Sequence, residues 1–130
     1  MMSDSKEYVS RSDELGNIHI SGEVLASIAA AAALEVEGVS GLSANLGSDI
    51  AELLSNKKNL TKGVHIQVED EQVTVELAVL MSYGHTIPEV GRAVQDAVKS
   101  SVESMTGLTV AAVNVGVGGI TLEKKEQQTG

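Results

Sequence analysis

Apolar and polar positions alternate most regularly near the middle of the chain. From residue 73 to residue 81, valine, leucine and methionine recur at every second position, the spacing that places side chains on one face of a β-strand. The opposite face of this segment begins with polar residues and becomes apolar at Ala78 and Leu80. We therefore predict a core strand whose second half is covered on both faces.

A helix is predicted directly after this strand. The apolar period lengthens to about 3.6 residues after Gly84, and Thr86 and Glu89 have the spacing of a capping box, with Pro88 in the first turn. Gly107 then marks the expected end of the helix. The apolar stripe of this helix comprises Val90, Val94, Ala97, Val98, Val102 and Met105.

Two further strands flank this unit. Residues 64–69 alternate strictly, and a turn at Asp70 and Glu71 joins them to the central strand as an antiparallel hairpin. Residues 108–117 predict a last strand with valines on one face. Its other face carries only small residues, namely Ala112, Asn114 and Gly116.

The first third of the chain has weaker patterns. Ile18 and Ile20 predict a short strand, and Ser21 offers an N-cap to the alanine-rich helix that follows. Val24, Leu25, Ile28, Ala29, Ala32 and Val36 mark the apolar face of that helix. Gly38 is its expected left-handed stop, and residues 39–46 predict another strand.

The predicted architecture is an α/β (α+β) two-layer sandwich, in which two long helices pack on one face of a mixed, mostly antiparallel sheet. A short helix over 49–56 and a polar loop over 57–62 complete the order of elements. We expect a mobile N-terminal arm over 1–15, one domain over 16–120 and a mobile C-terminal tail over 121–130.

Composition narrows the classes of function. The 130 residues suit one domain, and with no Phe or Trp and two Tyr the core must be aliphatic. The absence of cysteine excludes disulfides and thiolate metal sites. The net charge of −9 argues against nucleic-acid binding, because like charges repel phosphate backbones. No apolar run reaches the roughly 20 residues of a bilayer span, so we expect no direct membrane insertion.

No cluster of reactive residues stands out. The three histidines are isolated in sequence, and a metal site would require His19 and His65 to be neighbours, together with Glu69 or Glu76. His85 has no nucleophile beside it. We therefore predict no catalytic residue, no cofactor and no metal site.

An ordered series of short motifs runs from about residue 16 to residue 120. It comprises Gly16-x-Ile18-x-Ile20-Ser21-x-Glu23-Val24, Glu35-Val36-x-Gly38-Val39, Gly63-Val64, Tyr83-Gly84, Ile87-Pro88-Glu89-Val90, Gln95, Met105-Thr106-Gly107-Leu108 and Val113-Asn114-Val115-x-Val117-x-Gly119-Ile120. In these motifs the chain resembles the alkaline shock protein and general stress protein family, the envelope stress response proteins of Gram-positive bacteria.

The resemblance implies a cytoplasmic, non-enzymatic protein that self-associates and is held at the membrane by a separate anchor protein, with a role in cell-envelope homeostasis. Other members are linked instead to the control of fatty-acid synthesis near the acetyl-CoA carboxylase step, which is the alternative. The family offers no catalytic residues to carry over.

We therefore expect an interaction protein: a homo-oligomer that binds a membrane-anchored partner. The candidate surface comprises Ala78, Leu80, Tyr83, Ala112, Asn114 and Gly116. A rival hypothesis is a small-molecule sensor or enzyme using the turn Tyr83–Glu89. A third, a nucleic-acid binder with KH-like appearance, lacks a G-x-x-G loop between its helices.

Overall fold

The computed structural model describes residues 8–13, 15–43 and 63–122. The elements in chain order are β1 (Tyr8–Asp13), β2 (Gly16–Ser21), α1 (Gly22–Leu34), β3 (Val39–Leu42), β4 (Val64–Glu69), β5 (Gln72–Ser82), α2 (Ile87–Thr106) and β6 (Thr109–Thr121). The helix predicted over 49–56, the loop over 57–62 and most of the predicted C-terminal tail lie outside the described residues.

Strand β5 is the centre of the main sheet, because the three other strands of this sheet all pair with it. β6 runs parallel to β5 along its whole length, from Gln72 to Ser82. β3 and β4 are both antiparallel to β5, and since β6 occupies one edge they share the other. They meet at Ala78, whose N–H donates to Gly63 O and whose carbonyl accepts from Ser43 N–H, both at 2.9 Å.

The core lies between this sheet and the two helices. The alternating residues from Val73 to Met81 are all at most 1% exposed, and they pack with Val94, Val98 and Val102 of α2 and with Leu25 of α1. The predicted hairpin of β4 and β5 is confirmed. The predicted mixed sheet with both helices on one face is confirmed as well.

The helix caps follow the sequence only in part. Ser21 Oγ accepts from Val24 N–H at 3.2 Å, as an N-cap should. The predicted capping box of α2 is not formed, because among the described residues the Thr86 side chain has no cap hydrogen bond. Gly107 ends α2 in the left-handed conformation with φ 80°, as predicted.

Residues 8–13 differ from the expected mobile arm. They form β1, which pairs antiparallel with β2 from Tyr8 opposite Ser21 to Asp13 opposite Gly16. This hairpin is a sheet of its own, so the first predicted strand does not join the main sheet in the described part of the chain. His19 on β2 and His65 on β4 therefore belong to different sheets.

Strand β6 is longer than predicted. The sequence pattern predicts its end at residue 117, but pairing continues to Thr121 across a register shift beside Val79 and Leu80. A Cβ at residue 118 would lie 2.6 Å from Ser43 Oγ, so glycine permits the two chain segments to approach closely at this bulge.

Candidate interaction surface

The side of the main sheet opposite the helices is built from four rows of side chains, which we call the helix-free face. The register of β5 with its neighbours gives the rows in order as Gln67, Thr74, Ala112; His65, Glu76, Asn114; Gly63, Ala78, Gly116; and Gly41, Leu80, Gly119. Among the described residues, the buried side chains of α1 and α2 cluster on the other side of the sheet. The helix-free face is thus polar at one end and apolar at the other.

Leu80 is the largest apolar side chain on the helix-free face, and it stands between two glycines. A Cβ at Gly119 would lie 3.2 Å from Leu80 Cδ2, and one at Gly41 would lie 3.7 Å from Leu80 Cδ1. The missing side chains therefore leave room for the leucine, which is half-buried. Among the described residues, small side chains border it as well: Ser40 Oγ donates to Leu80 O at 3.2 Å, and Thr121 Oγ1 donates to Ser40 Oγ at 3.0 Å. Glycines and small residues let another chain approach closely.

The structure brings most of the predicted surface residues together. Ala78, Leu80, Ala112, Asn114 and Gly116 all lie on the helix-free face, in adjacent rows. Ala78 itself is only 5% exposed, so it supports this surface from beneath and offers little area for contact.

Tyr83 lies beyond the end of β5, where its backbone N–H donates to Thr121 O at 2.9 Å. The tyrosine is 63% exposed. Gly41 and Gly119 belong to the surface but were not predicted. Their role depends on strand order, which no local pattern reports.

The turn at Tyr83–Glu89 does not form an enclosed site. Each of its seven residues is exposed, and the ring of His85 lies against Gly38, whose added Cβ would be 3.3 Å from His85 Cδ2. Within residues 8–13, 15–43 and 63–122, no group of three His, Asp or Glu side chains is arranged to hold a metal ion. The sensor hypothesis therefore gains no support from this turn.

An apolar groove of about 520 Å³ lies between α1 and α2 on the outer side of the helical layer. Val24 and Met105, which the helical spacing places on the apolar stripes of α1 and α2, line this groove and are 48% and 69% exposed. Each stripe therefore extends beyond the buried core. Glu23 and Glu35 also line the groove.

One carboxylate links α2 to the edge of β6. Glu103 Oε2 accepts from Val110 N–H at 2.9 Å and lies 3.4 Å from Lys99 Nζ. The hydrogen bond from Val110 has the largest effect and lowers the pKa of the Glu103 carboxyl. Desolvation acts in the opposite direction, and Lys99 lowers the pKa further. Glu103 thus satisfies an edge N–H that has no partner strand among the described residues.

We expect Glu103→Gln to remove part of the acid sensitivity of folding. Because the folded-state pKa of Glu103 is lowered, its stabilising effect is present above the unfolded-state pKa of about 4.3 and is lost as pH falls through the folded-state value. Urea unfolding at pH 7, 4 and 3 should show the wild-type advantage over Glu103→Gln shrinking with acidification. Lys99→Met should keep most of this pH dependence. If the free energy of unfolding depended on pH equally in wild type and Glu103→Gln, that result would contradict the assignment.

No helix in the described ranges 8–13, 15–43 and 63–122 has the length and apolar character needed to cross a bilayer.

A family model and several similar proteins assign this chain to the same family. The model of the alkaline shock protein family, which is described as having a cell envelope-related function, matches residues 10–122. YqhY of Bacillus subtilis is 32% identical over 114 residues, covering 88% of this chain and 84% of that protein. YloU of the same organism is 36% identical over 107 residues, covering 81% and 88%. A Streptococcus pyogenes protein named stress response regulator gls24 homolog is 28% identical over 112 residues, covering 86% and 62%.

Proposed function

The chain belongs to the alkaline shock protein family, whose function is cell envelope-related, and from this premise we propose that it is a non-enzymatic, cytoplasmic interaction protein. It self-associates and binds a membrane-anchored partner protein, and in this way it contributes to cell-envelope homeostasis under stress. The name of its Streptococcus pyogenes relative, a stress response regulator, supports the stress part of this proposal.

The observation that carries the proposal is the helix-free face around Leu80. A half-buried leucine between Gly41 and Gly119 presents apolar surface that, among the described residues, is flanked by glycines and leaves room for a second backbone. Surfaces of this kind favour protein contact, since burying apolar area contributes roughly 25 cal/mol per Å².

The charge of the chain supports attachment through a protein. A net charge of −9 opposes adsorption to anionic lipid headgroups at long range. A partner that spans the bilayer and presents a protein surface to the helix-free face avoids this repulsion.

Leu80→Glu is the direct test of this surface. We expect the variant to lose the contact through the helix-free face and to shift the protein to a lower mass in light scattering, because a buried interface does not tolerate an unpaired carboxylate, while circular dichroism stays that of the folded domain. Gln67→Glu places the same charge at the polar end of the same face and should leave the assembly intact.

A wild-type protein that stays monomeric at high concentration, and that captures no membrane protein in a pull-down with membranes intact, would overturn the proposal. Equal dispersal by Leu80→Glu and Gln67→Glu would remove the helix-free face as the contact and point to a general effect of charge.

A further inference from the structure

The outer edge of β6 is an unusual edge strand. In the part of the chain that the structure describes, β6 pairs with β5 alone, so its other edge has no partner strand there. Its sequence from Thr109 to Thr121 contains no charged residue and no proline. Edge strands are usually protected from pairing by charged residues, proline or covering elements. β6 has neither a charged residue nor a proline along its whole length.

Side chains of α2 occupy only the first part of this edge. Glu103 accepts from Val110 N–H at 2.9 Å, and Gln95 Nε2 donates to Val113 O at 3.0 Å. Backbone groups point to the same edge at every second residue of a strand, so those of Val115 and Val117 face the same way as the carbonyl of Val113. The free stretch of the edge therefore begins at residue 114.

Apolar side chains border this free stretch. Ile87, Gly91 and Gln95 follow one another at four-residue intervals on the stripe of α2 that reaches β6, and a Cβ at Gly91 would meet no atom within 4 Å. Glycine at residue 91 adds no side chain over β6, on which Val113 is buried but Val117 is not. Val117 is 38% exposed, Ile120 42% and Ile87 45%.

We propose that β6 pairs antiparallel with β6 of a second copy of this chain, across a two-fold axis beside Gly116 and Val117. This inference rests on the proposed self-association and adds to the helix-free face a second contact between copies, at the edge of β6. An antiparallel pair of identical strands is self-complementary, as a two-fold interface requires.

The charge of the chain identifies the second copy as the occupant. Each copy carries a net charge of −9, so two copies approach one another most readily along a stretch that carries no charge. The edge from residue 114 to residue 121 meets that condition. A basic partner would find no acidic side chain on β6 to pair with.

Pairing of this kind would also enlarge the helix-free face. An axis perpendicular to the sheet keeps the helices of both copies on one side, so the two helix-free faces become one continuous surface. Asn114 and Gly116 lie beside the axis on that surface, and on the helical side Ile87 and Val117 of one copy come near those of the other.

Single cysteines test the pairing directly, because the chain has no cysteine of its own. Opposed residues in an antiparallel pair have Cα atoms about 4.5–5.5 Å apart, which is within the span of a disulfide. The axis passes at one of the two residues, so Gly116→Cys or Val117→Cys in the full chain should give a disulfide-linked dimer under mild oxidation. Ala111→Cys is the matched control, since on the same strand it would lie roughly 35 Å from its counterpart and should stay unlinked.

A charge on the edge gives a second measurement that does not depend on oxidation. Val117→Lys should weaken the dimer at least tenfold in analytical ultracentrifugation, whereas Ala111→Lys should have the wild-type dissociation constant, with both variants folded by circular dichroism. Val117 is partly exposed, so the lysine can be accommodated in the monomer.

The outcomes separate this inference from the function it rests on. Oligomers that persist in Val117→Lys and give no cross-link at residues 116 or 117 would overturn the β6 pairing and leave self-association standing. A wild-type chain that is monomeric throughout would overturn both. Cross-linking of Ala111→Cys as strong as that of Val117→Cys would also overturn the pairing, because it would indicate random collisions.

Discussion

Replacement of Gly63 by alanine is expected to cost the domain about 3 kcal/mol or more of its free energy of unfolding, which combines backbone strain with a steric clash. Gly63 has φ +90°, and an added Cβ would lie 2.3 Å from Ser43 O and 3.3 Å from Ala78 O. Both neighbours are backbone atoms, and both carbonyls belong to the junction where β3 and β4 meet on β5. The clash therefore cannot be relieved by rotating a side chain.

Gly84→Ala isolates the strain from the clash. Gly84 has a similar φ of +106°, but a Cβ there would meet no atom within 4 Å, so we expect a loss of only about 1–2 kcal/mol. Urea unfolding of the two variants, followed by circular dichroism, gives the comparison. Equal losses would mean that the chain relaxes around residue 63, and the junction would then be less rigid than its hydrogen bonds at Ala78 indicate.

Local pattern was sufficient to predict the faces of β5. The residues from Val73 to Met81 alternate with a period of two, and one face of a strand with that pattern has to be buried. The end of α2 at Gly107 could be predicted equally well, because only a residue that tolerates a positive φ fits that position easily. These features depend on residues that are close in sequence.

The order of the strands in the sheet could not be predicted from local pattern. That β3 and β4 share one edge of β5, and that β6 takes the other, results from contacts between residues far apart in the chain, such as Gly41 with Leu80. The pattern of a single strand is the same whichever neighbour it has. For this reason the apolar character of Leu80 was predicted, but its position between two glycines was not.

The N-terminal strand β1 was not predicted. Residues 8–13 have few apolar side chains, which is the basis for expecting a mobile arm there, and the structure places them in β1. Backbone hydrogen bonds to β2 provide the pairing, and they require no apolar pattern in sequence.

The two surfaces that support the proposed function share one physical basis. On the helix-free face, Gly41 and Gly119 remove bulk around Leu80, and at the edge of β6, Gly91 adds no side chain over the strand. In both places small residues uncover apolar side chains that a larger residue would shield. The glycine-rich last strand therefore suits docking between chains.

The second large effect is expected from Leu77→Ala, at the centre of β5. Leu77 is 1% exposed, lies between Val64 and Val115, and belongs to a core with no Phe or Trp. Truncation of a buried leucine costs about 2–5 kcal/mol, depending on how well the surroundings fill the cavity. The valines around Leu77 are stiff at χ1, so we expect a loss in the upper half of that range.

Leu34→Ala makes the same chemical change at a position that is 48% exposed, and it should alter the free energy of unfolding by no more than about 0.5 kcal/mol. Urea unfolding of both variants at one pH gives the loss in free energy of unfolding for each. Both the midpoint and the dependence of that free energy on urea concentration should be compared with those of the wild type. Because β3, β4 and β6 all pair with β5, the loss in Leu77→Ala should appear as one cooperative transition at lower urea. A separate transition of β6 at lower urea would instead mean that the docking edge unfolds independently of the core. That result would contradict the proposed two-chain sheet, which requires β6 to stay paired with β5.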